Sequence, residues 1–362
     1  MLPYLSNPVG NASSLHSAGR MARSAIDTAR AQVAELVNSS PNTVIFTSSG
    51  SEANNLLLKG YADSNNPQPL ISSEIEHPSV LEPLLQQQEA GYSVIRLKPD
   101  INGVIDLEEA RLVLQDNKPQ LISTLLANNE TGVIQPVQTL MAMTDSATCL
   151  RHTDATQAIG KRQVDMRELG VDALTMSAHK FRGPQGVGAL VVKGKPKQTL
   201  ISGGAQEKYR RAGTENVAMI VGMGKAAQIA MLEIEQKRHH LEQLRDLLES
   251  RLKSIPGVVT FGSKAERLPN TTYFSIPYFH GETLLMELDR AGFELASGSA
   301  CHSEVTKASH VLTAMGIENN LALNAVRVSF GSTNTLQEVE ALVTKLQQLV
   351  NKLPAVIRQA AV

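Results

Sequence analysis

The chain has 362 residues, enough to bury a large core and to divide into two domains. Lys plus Arg total 34 against 35 for Asp plus Glu, so the sequence carries no electrostatic footprint for nucleic acid or an anionic membrane, and a small near-neutral or anionic substrate is expected. Two cysteines, Cys149 and Cys301, rule out a disulfide framework and a cysteine-rich zinc site; no uninterrupted apolar run nears the ~18 residues of a membrane span, and no signal-peptide pattern opens the chain, so a cytoplasmic location is expected.

Residues 1–16 read as loop, because Pro3, Pro8, Gly10 and Asn11 interrupt any period. A helix is predicted over 17–37, with Ala25, Ala29, Val33 and Leu36 on one face. A strand over 43–47 then turns through Ser48, Ser49 and Gly50 into a helix starting near Ser51, with Glu52 in its first turn. Such a turn is a ready anion site, since free N–H groups and the helix dipole both favour a phosphate; an ordinary N-cap at Ser49 or Ser51 explains the same residues equally well.

The alternation continues with strands at 70–73, 92–97, 120–125, 149–152 and 171–176 and helices at 79–90, 107–113 and 137–145. Short connections between such elements predict a doubly wound, mainly parallel sheet flanked by helices. A long helix over 216–254 leads to a smaller α+β region with strands at 258–261 and 271–275 and helices at 282–291 and 337–352. We therefore expect a large domain over 1–235 and a small domain over 236–362.

Strand 171–176 ends in Ser177-Ala178-His179-Lys180, and Gly183, Pro184, Gly186 and Gly188 then forbid a helix. This sets one lysine at the carboxyl end of a central strand, the edge where open α/β sheets bind ligands. His77, Asn128, Asn129, Glu130, His152, Asp154, Gln157 and Ser177 fall at neighbouring strand ends. A lysine, a carboxylate opposite a pyridine nitrogen and an anion cradle are what pyridoxal 5′-phosphate requires of a protein. Lys180, Asp154 and the Ser49-Gly50-Ser51 turn supply them, with help from Ser177 and His179, while His77 can lie against a flat ring. Arg327 stands in an apolar strand, where a guanidinium is costly without an anionic partner. Cys301 opens a polar run, unlike Cys149, which sits on an apolar strand as inert core thiols do.

Seven stretches together resemble the NifS/IscS-type cysteine desulfurases of the class V, fold-type I aminotransferase group. They are Thr47-Ser48-Ser49-Gly50-Ser51-Glu52, Glu76-His77, Asn128-Asn129-Glu130-Thr131-Gly132, His152-Thr153-Asp154-Ala155-Thr156-Gln157, Ser177-Ala178-His179-Lys180, Arg211-Ala212-Gly213-Thr214-Glu215-Asn216 and Ser297-Gly298-Ser299-Ala300-Cys301. The resemblance implies an enzyme that converts L-cysteine to L-alanine and leaves the sulfur as a persulfide on Cys301. Lys180 would hold pyridoxal 5′-phosphate as a Schiff base, Asp154 pair with its pyridine nitrogen, Gln157 touch its ring hydroxyl and His77 stack on the ring. Gly50, Ser51, Ser177 and His179 would hold the phosphate, with Thr214 reaching in from the second subunit of a homodimer; Asn129, also a cofactor contact, and Arg327 would bind the substrate carboxylate. No metal is implied.

The acceptor of the sulfur is expected to be a partner protein such as an iron–sulfur scaffold or a tRNA-thiolation carrier. The same residues leave open a selenocysteine lyase, another enzyme of this fold, or a truncated homologue that acts by binding partners. Three departures from the family stand out. The chain begins at Met1-Leu2-Pro3-Tyr4-Leu5, after the point where relatives carry a first strand; Tyr209 stands where relatives carry glycine; and Lys307-Ala308-Ser309 replaces a Pro-Ser.

Overall fold

In a computed structural model the residues described are 1–6, 10–66, 68–277, 279–298 and 307–352. A short helix α1 (Leu2–Ser6) occupies part of the stretch expected as loop. Helix α2 (Ser17–Leu36) starts at an N-cap, His16, whose Nδ1 accepts the Gly19 amide at 3.2 Å, and it buries Ala22, Ile26, Ala29 and Val33 at helical spacing. Then follow β1 (Val44–Thr47), α3 (Gly50–Gly60), β2 (Leu70–Ser73), α4 (Pro78–Glu89), β3 (Val94–Leu97), α5 (Leu107–Asp116), β4 (Leu121–Leu125), α6 (Val137–Ala142), β5 (Leu150–Asp154), β6 (Ala173–Ser177) and β7 (Gly188–Val192).

These strands form a seven-stranded sheet in the order β1-β7-β6-β5-β4-β2-β3. The neighbours from β6 to β3 pair in parallel, whereas β7 runs antiparallel to both β6 and β1. The sheet is therefore mainly parallel, as expected. The cause of the reversal at β7 is local: Ser177 pairs with Gly188, so the segment between β6 and β7 closes a hairpin, and a parallel return would need a full crossover helix. The strand β7 is missing from the sequence reading because its flanking glycines read only as breakers. All residues of β1, β2, β4, β6 and β7 are buried, as expected of strands covered on both faces. Ile45, Leu56, Leu57, Leu70, Leu84, Leu121 and Leu190 share one core cluster, each fully buried leucine contributing roughly 2 kcal/mol.

Helix α7 (Val217–Leu252) is 36 residues long, and its most apolar window reaches a mean hydropathy of 1.5, so by length and composition it could cross a membrane. This corrects the expectation drawn from uninterrupted runs, since Lys225 breaks the run without removing its hydropathy. Val217, Ile220, Met223 and Ala227 are buried, as in a core helix. Beyond it lie β8 (Val259–Thr260), β9 (Thr271–Ser275), α8 (Gly281–Asp289), β10 (Ala296–Ser297), α9 (His310–Ala314), α10 (Asn319–Leu323), β11 (Ala325–Ser329) and α11 (Leu336–Asn351). A second sheet runs β10-β11-β9-β8, all antiparallel, and its core gathers Leu244, Leu248, Phe274, Leu284, Val326, Leu342 and Leu346. Helix α11 opens with a capping box between Thr335 and Glu338.

The chain divides into two compact units. The first comprises Met1–Leu97, Asp106–Ala127 and Gln135–Ile234; the second comprises Lys98–Ile105, Asn128–Ile134 and Glu235–Val362. The chain thus changes unit close to residue 235, and two short excursions carry 98–105 and 128–134 into the second unit.

Candidate active site

In the first unit, the expected anion turn is a helix start with a side-chain cap. Ser49 caps α3 and its Oγ accepts the Glu52 amide at 3.1 Å. A Cβ built on Gly50 would lie 3.2 Å from Thr156 Oγ1 and 3.4 Å from Ser177 Cβ, so the helix start, the end of β6 and the turn after β5 converge here. Thr156 Oγ1 is buried and has no hydrogen-bond partner. A buried hydroxyl left unpaired beside a helix N-terminus fits an anionic group placed at this point. Gly188 is held so close to Ser49 that a Cβ there would fall 2.5 Å from its carbonyl carbon, which is why β7 begins with glycine.

Glu52 closes the outer side of this cradle. It accepts the Ser48 amide at 2.7 Å and a bidentate pair from Arg211 at 2.7 and 3.1 Å. Burial pushes the Glu52 carboxyl up, but the hydrogen bonds from Arg211 and Ser48 outweigh it and hold the group below its usual value.

Lys180 lies on the single turn Ala178–Phe181 of the β6–β7 hairpin and is exposed, as is His179. Ser177 is buried and its Oγ is 3.0 Å from His179 Nδ1. Partial desolvation, then the charge of Lys180, lower the proton affinity of the His179 ring. Asp154, at the end of β5, is buried and accepts from Asn54 Nδ2 at 2.8 Å and from the Thr156 amide at 2.9 Å. Asn54 also donates to Ser79 Oγ at 2.9 Å, and Ser79 Oγ is 2.8 Å from His77 Nδ1. His77 and Asp154 are therefore joined through Asn54 and Ser79, neither of which the sequence reading singled out. His77 also caps α4 by accepting the Ser79 amide at 3.1 Å, which fixes its ring. Gln157 accepts a hydrogen bond from Lys161 Nζ at 2.9 Å, and Ser51 and Thr214 are exposed.

Two further titratable groups lie behind Asp154. His152, two residues earlier on β5, is fully buried between Ser123 Oγ (2.8 Å) and Thr175 Oγ1 (3.1 Å), and burial drives its ring down to about 4. Glu76 accepts from Ser73 Oγ at 2.5 Å and from the Leu125 amide at 3.1 Å. Burial, with the Asp154 charge adding to it, pushes its carboxyl up to about 8.

The second unit holds Asn129 and Arg327. Asn128 Oδ1 accepts the amides of Glu130 (2.9 Å) and Thr131 (3.0 Å), and Gly132, at φ 74°, returns its amide to the Asn128 carbonyl at 3.0 Å. This tight turn presents Asn129 and Glu130. Arg327 Nη1 donates to the Asn129 carbonyl at 2.6 Å, while its Nε is buried and unpaired. Burial lowers the Arg327 proton affinity, and the neighbouring Glu130 and Tyr273 oppose that effect. A half-used, buried guanidinium fits a carboxylate ligand. Glu130 is buried and accepts hydrogen bonds from Tyr273 Oη at 3.1 Å and from Ser309 Oγ. Burial raises its carboxyl above the usual value, tempered by Ser309, His310, Tyr273 and Arg327. Asn129, which the sequence reading placed among both cofactor and substrate contacts, thus shares its unit with Arg327.

Cys301 lies outside the described residues. Cys149 is buried, and burial pushes its thiol up to about 12, so it is unreactive at neutral pH. Among the described residues no group of three or more His, Cys, Asp or Glu side chains is arranged to hold a metal ion.

Comparison with known proteins gives the family. The chain is 40% identical over 357 residues to a cysteine desulfurase IscS of Dictyoglomus turgidum, covering 98% of this chain and 90% of the relative. A solved NifS-like protein superimposes with a TM-score of 0.88 at 35% identity, covering 95% of this chain and 92% of that one. Another solved structure, of SspA in complex with cysteine, gives a TM-score of 0.78 at 28% identity and covers 92% and 94%. The aminotransferase class-V family profile matches residues 1–342, and the chain belongs to that family.

Proposed function

We propose that this chain is a pyridoxal 5′-phosphate-dependent cysteine desulfurase. The observation that carries the proposal is the grouping in the first unit of an unpaired buried hydroxyl at a helix N-terminus, a buried Asp154 and the Lys180 hairpin. The cofactor, when bound, supplies an electron sink for negative charge developing at the substrate Cα. Gly50, Ser51, Thr156, Ser177 and His179 would hold its phosphate, and Thr214 would do so from the second subunit of a homodimer. Asp154 would face the pyridine nitrogen, Gln157 the ring hydroxyl and His77 the ring face.

Lys180 would anchor the cofactor and, once displaced by substrate, take the Cα proton at Nζ. Arg327, steadied by the Asn129 carbonyl, would hold the carboxylate of L-cysteine in a bidentate grip. The Cys301 thiolate would attack the substrate sulfur; a Cβ–S bond breaks, an S–S bond forms, and the products are L-alanine and a persulfide on Cys301. The relatives' names support this substrate, and an iron–sulfur scaffold or a tRNA-thiolation carrier in the cytoplasm is the proposed acceptor of the sulfur.

The test is alanine release from L-cysteine by protein purified with its cofactor, beside Cys301→Ala. Alanine that vanishes in the variant supports the reading. Alanine that persists in the variant points to another chemistry of this fold, and no alanine from a cofactor-loaded wild type ends the proposal.

A further inference from the structure

The proposed reaction uses Cys301 and Arg327, but neither residue explains the buried carboxyl of Glu130. One oxygen of that carboxyl, Oε2, accepts from Tyr273 Oη on β9 and from Ser309 Oγ. Ser309 is itself the N-cap of α9, so the one oxygen that accepts the Leu312 amide at 3.1 Å also donates to Glu130. On the other side, a Cβ built on Gly298 would fall 1.5 Å from Tyr273 Oη and 2.9 Å from the same Glu130 oxygen. Only a residue without a side chain fits there. Gly298 is also tied to β11, its amide lying 3.4 Å from the Ala325 carbonyl. Residues 298 and 309 flank Cys301 in sequence, three positions before it and eight after. Ser309 therefore donates to this carboxyl oxygen and Gly298 packs close to it, while Asn128 builds the turn that carries Glu130 and Arg327 is a neighbouring charge.

We propose that Glu130 is a positioning residue for sulfur transfer: its carboxyl, bonded to Ser309 after Cys301 and packed against Gly298 before it, sets both flanks of Cys301 beside the turn that carries Asn129. The inference rests on the desulfurase reading. A buried group facing so many partners has a simpler structural role available, that of a core hydrogen-bond hub, and the two roles differ in what they move. A hub lowers stability when removed. A positioning residue lowers the rate of the step that Cys301 performs and leaves substrate affinity alone, because small displacements of reacting groups cost rate steeply. Among the described residues, His310 beside Ser309, Tyr273 and Arg327 are the titratable groups that act on Glu130, and Glu130 in turn acts on Arg327.

The experiment compares holoenzymes of wild type, Glu130→Ala, Glu130→Gln and Ser309→Ala. Three quantities are read: persulfide formation on Cys301 at saturating L-cysteine, cysteine affinity from the cofactor's absorbance, and the rate of Cys301 alkylation. Cys149 does not confuse the last, since its thiol is buried. We expect Glu130→Ala to slow persulfide formation roughly 10²-fold, with cysteine affinity unchanged or tighter, and to alter the alkylation rate. Glu130→Gln keeps an oxygen that accepts from both hydroxyls and restores most of the rate. Ser309→Ala, which removes one hydroxyl on the surface of the hub, falls between them and remains informative if Glu130→Ala does not fold. Unchanged persulfide and alkylation rates in Glu130→Ala and Ser309→Ala overturn the proposal, as does a loss confined to cysteine affinity, which would place Glu130 with Arg327 alone. A wild type that forms no persulfide ends the desulfurase reading instead, and alkylation then still reads whether Glu130 positions Cys301.

Discussion

Two buried carboxyls, Asp154 in the first unit and Glu130 in the second, are held in chemically opposite ways. Asp154 in the first unit is met by amide donors, Asn54 Nδ2 and the Thr156 backbone N–H. An N–H group can only donate, so both oxygens of Asp154 serve as acceptors, and the residue suits a task in which its charge faces a cationic ring nitrogen. Glu130 in the second unit is met by two hydroxyls, on one oxygen, from segments far apart in sequence. Hydroxyls rotate to suit either protonation state, so this carboxyl is equipped to join segments rather than to present a charge. One carboxyl is an electrostatic group on a strand end; the other is a junction between segments beside the arginine proposed to bind substrate.

The largest expected effect tests the electrostatic half. Asp154→Asn keeps the shape of the side chain and removes its charge. It should lower kcat for alanine release by roughly 10²–10³-fold, the cost of losing one pre-organised charge interaction at a reacting centre, while the cofactor absorbance shows that pyridoxal 5′-phosphate is still held. A fall of less than about tenfold would erase the contrast with Glu130, for which the neutral glutamine is expected to serve.

A second, smaller effect sharpens the same point. Where Asp154 keeps its acceptor role, the carboxyl behind it bears the consequence: burial first, then the Asp154 charge, push Glu76 up from 4.5 to about 8. Between those values the folded chain holds a proton that the unfolded chain has released. Stability therefore falls as pH rises from about 4.5 to about 8 and is level above that window. Glu76→Gln removes the titration while offering an oxygen to Ser73 and Leu125. The variant should match wild type near pH 4.5 and exceed it at pH 8 by on the order of 2 kcal/mol, read from denaturant midpoints at the two pH values. Equal midpoints at both would mean that Glu76 stays charged in the fold.

The difference between the two regions also explains what the sequence discloses. Lys180, Ser177, His179, Asp154 and the Gly50 turn are contiguous motifs at strand ends, and a period-two or all-apolar run pointing at a polar turn is visible in a linear chain. The α/β alternation is visible for the same reason. The hairpin that reverses β7 is not, because Gly183, Gly186 and Gly188 signal a turn without saying which way the chain returns. Asn54 is invisible since its partners, Ser79 and Asp154, lie 25 and 100 positions away. Glu130 is the extreme case: its partners at 273, 298, 309 and 327 come from four separate segments, and only the fold collects them. Arg327 was legible through its cost alone, a guanidinium in an apolar strand that demands an anion.

The smallest expected effect concerns the departure at Tyr209. Glu207, Lys208 and Tyr209 occupy the left-handed region in succession, at φ 47°, 58° and 63°. The run is held in place by Glu207, whose carboxylate takes both Arg30 nitrogens at 2.7 and 2.8 Å in a buried pair, and it delivers Arg211 to Glu52 at the mouth of the cradle. A left-handed residue with a side chain costs about 1–2 kcal/mol, and glycine avoids that cost at the expense of extra freedom in the unfolded chain. Tyr209 is 66% exposed, and Lys195 Nζ lies 6.0 Å from its ring centre, an exposed cation–π pair that offsets little of the strain. Tyr209→Gly should accordingly stabilise the chain by about 0.5–1 kcal/mol, a rise of about 1–3 °C in Tm, with alanine release unchanged. A lower Tm would mean that the ring is covered by something with which it packs, and a second subunit is then the first place to look, because Thr214, five residues on, is the residue proposed to reach across a dimer.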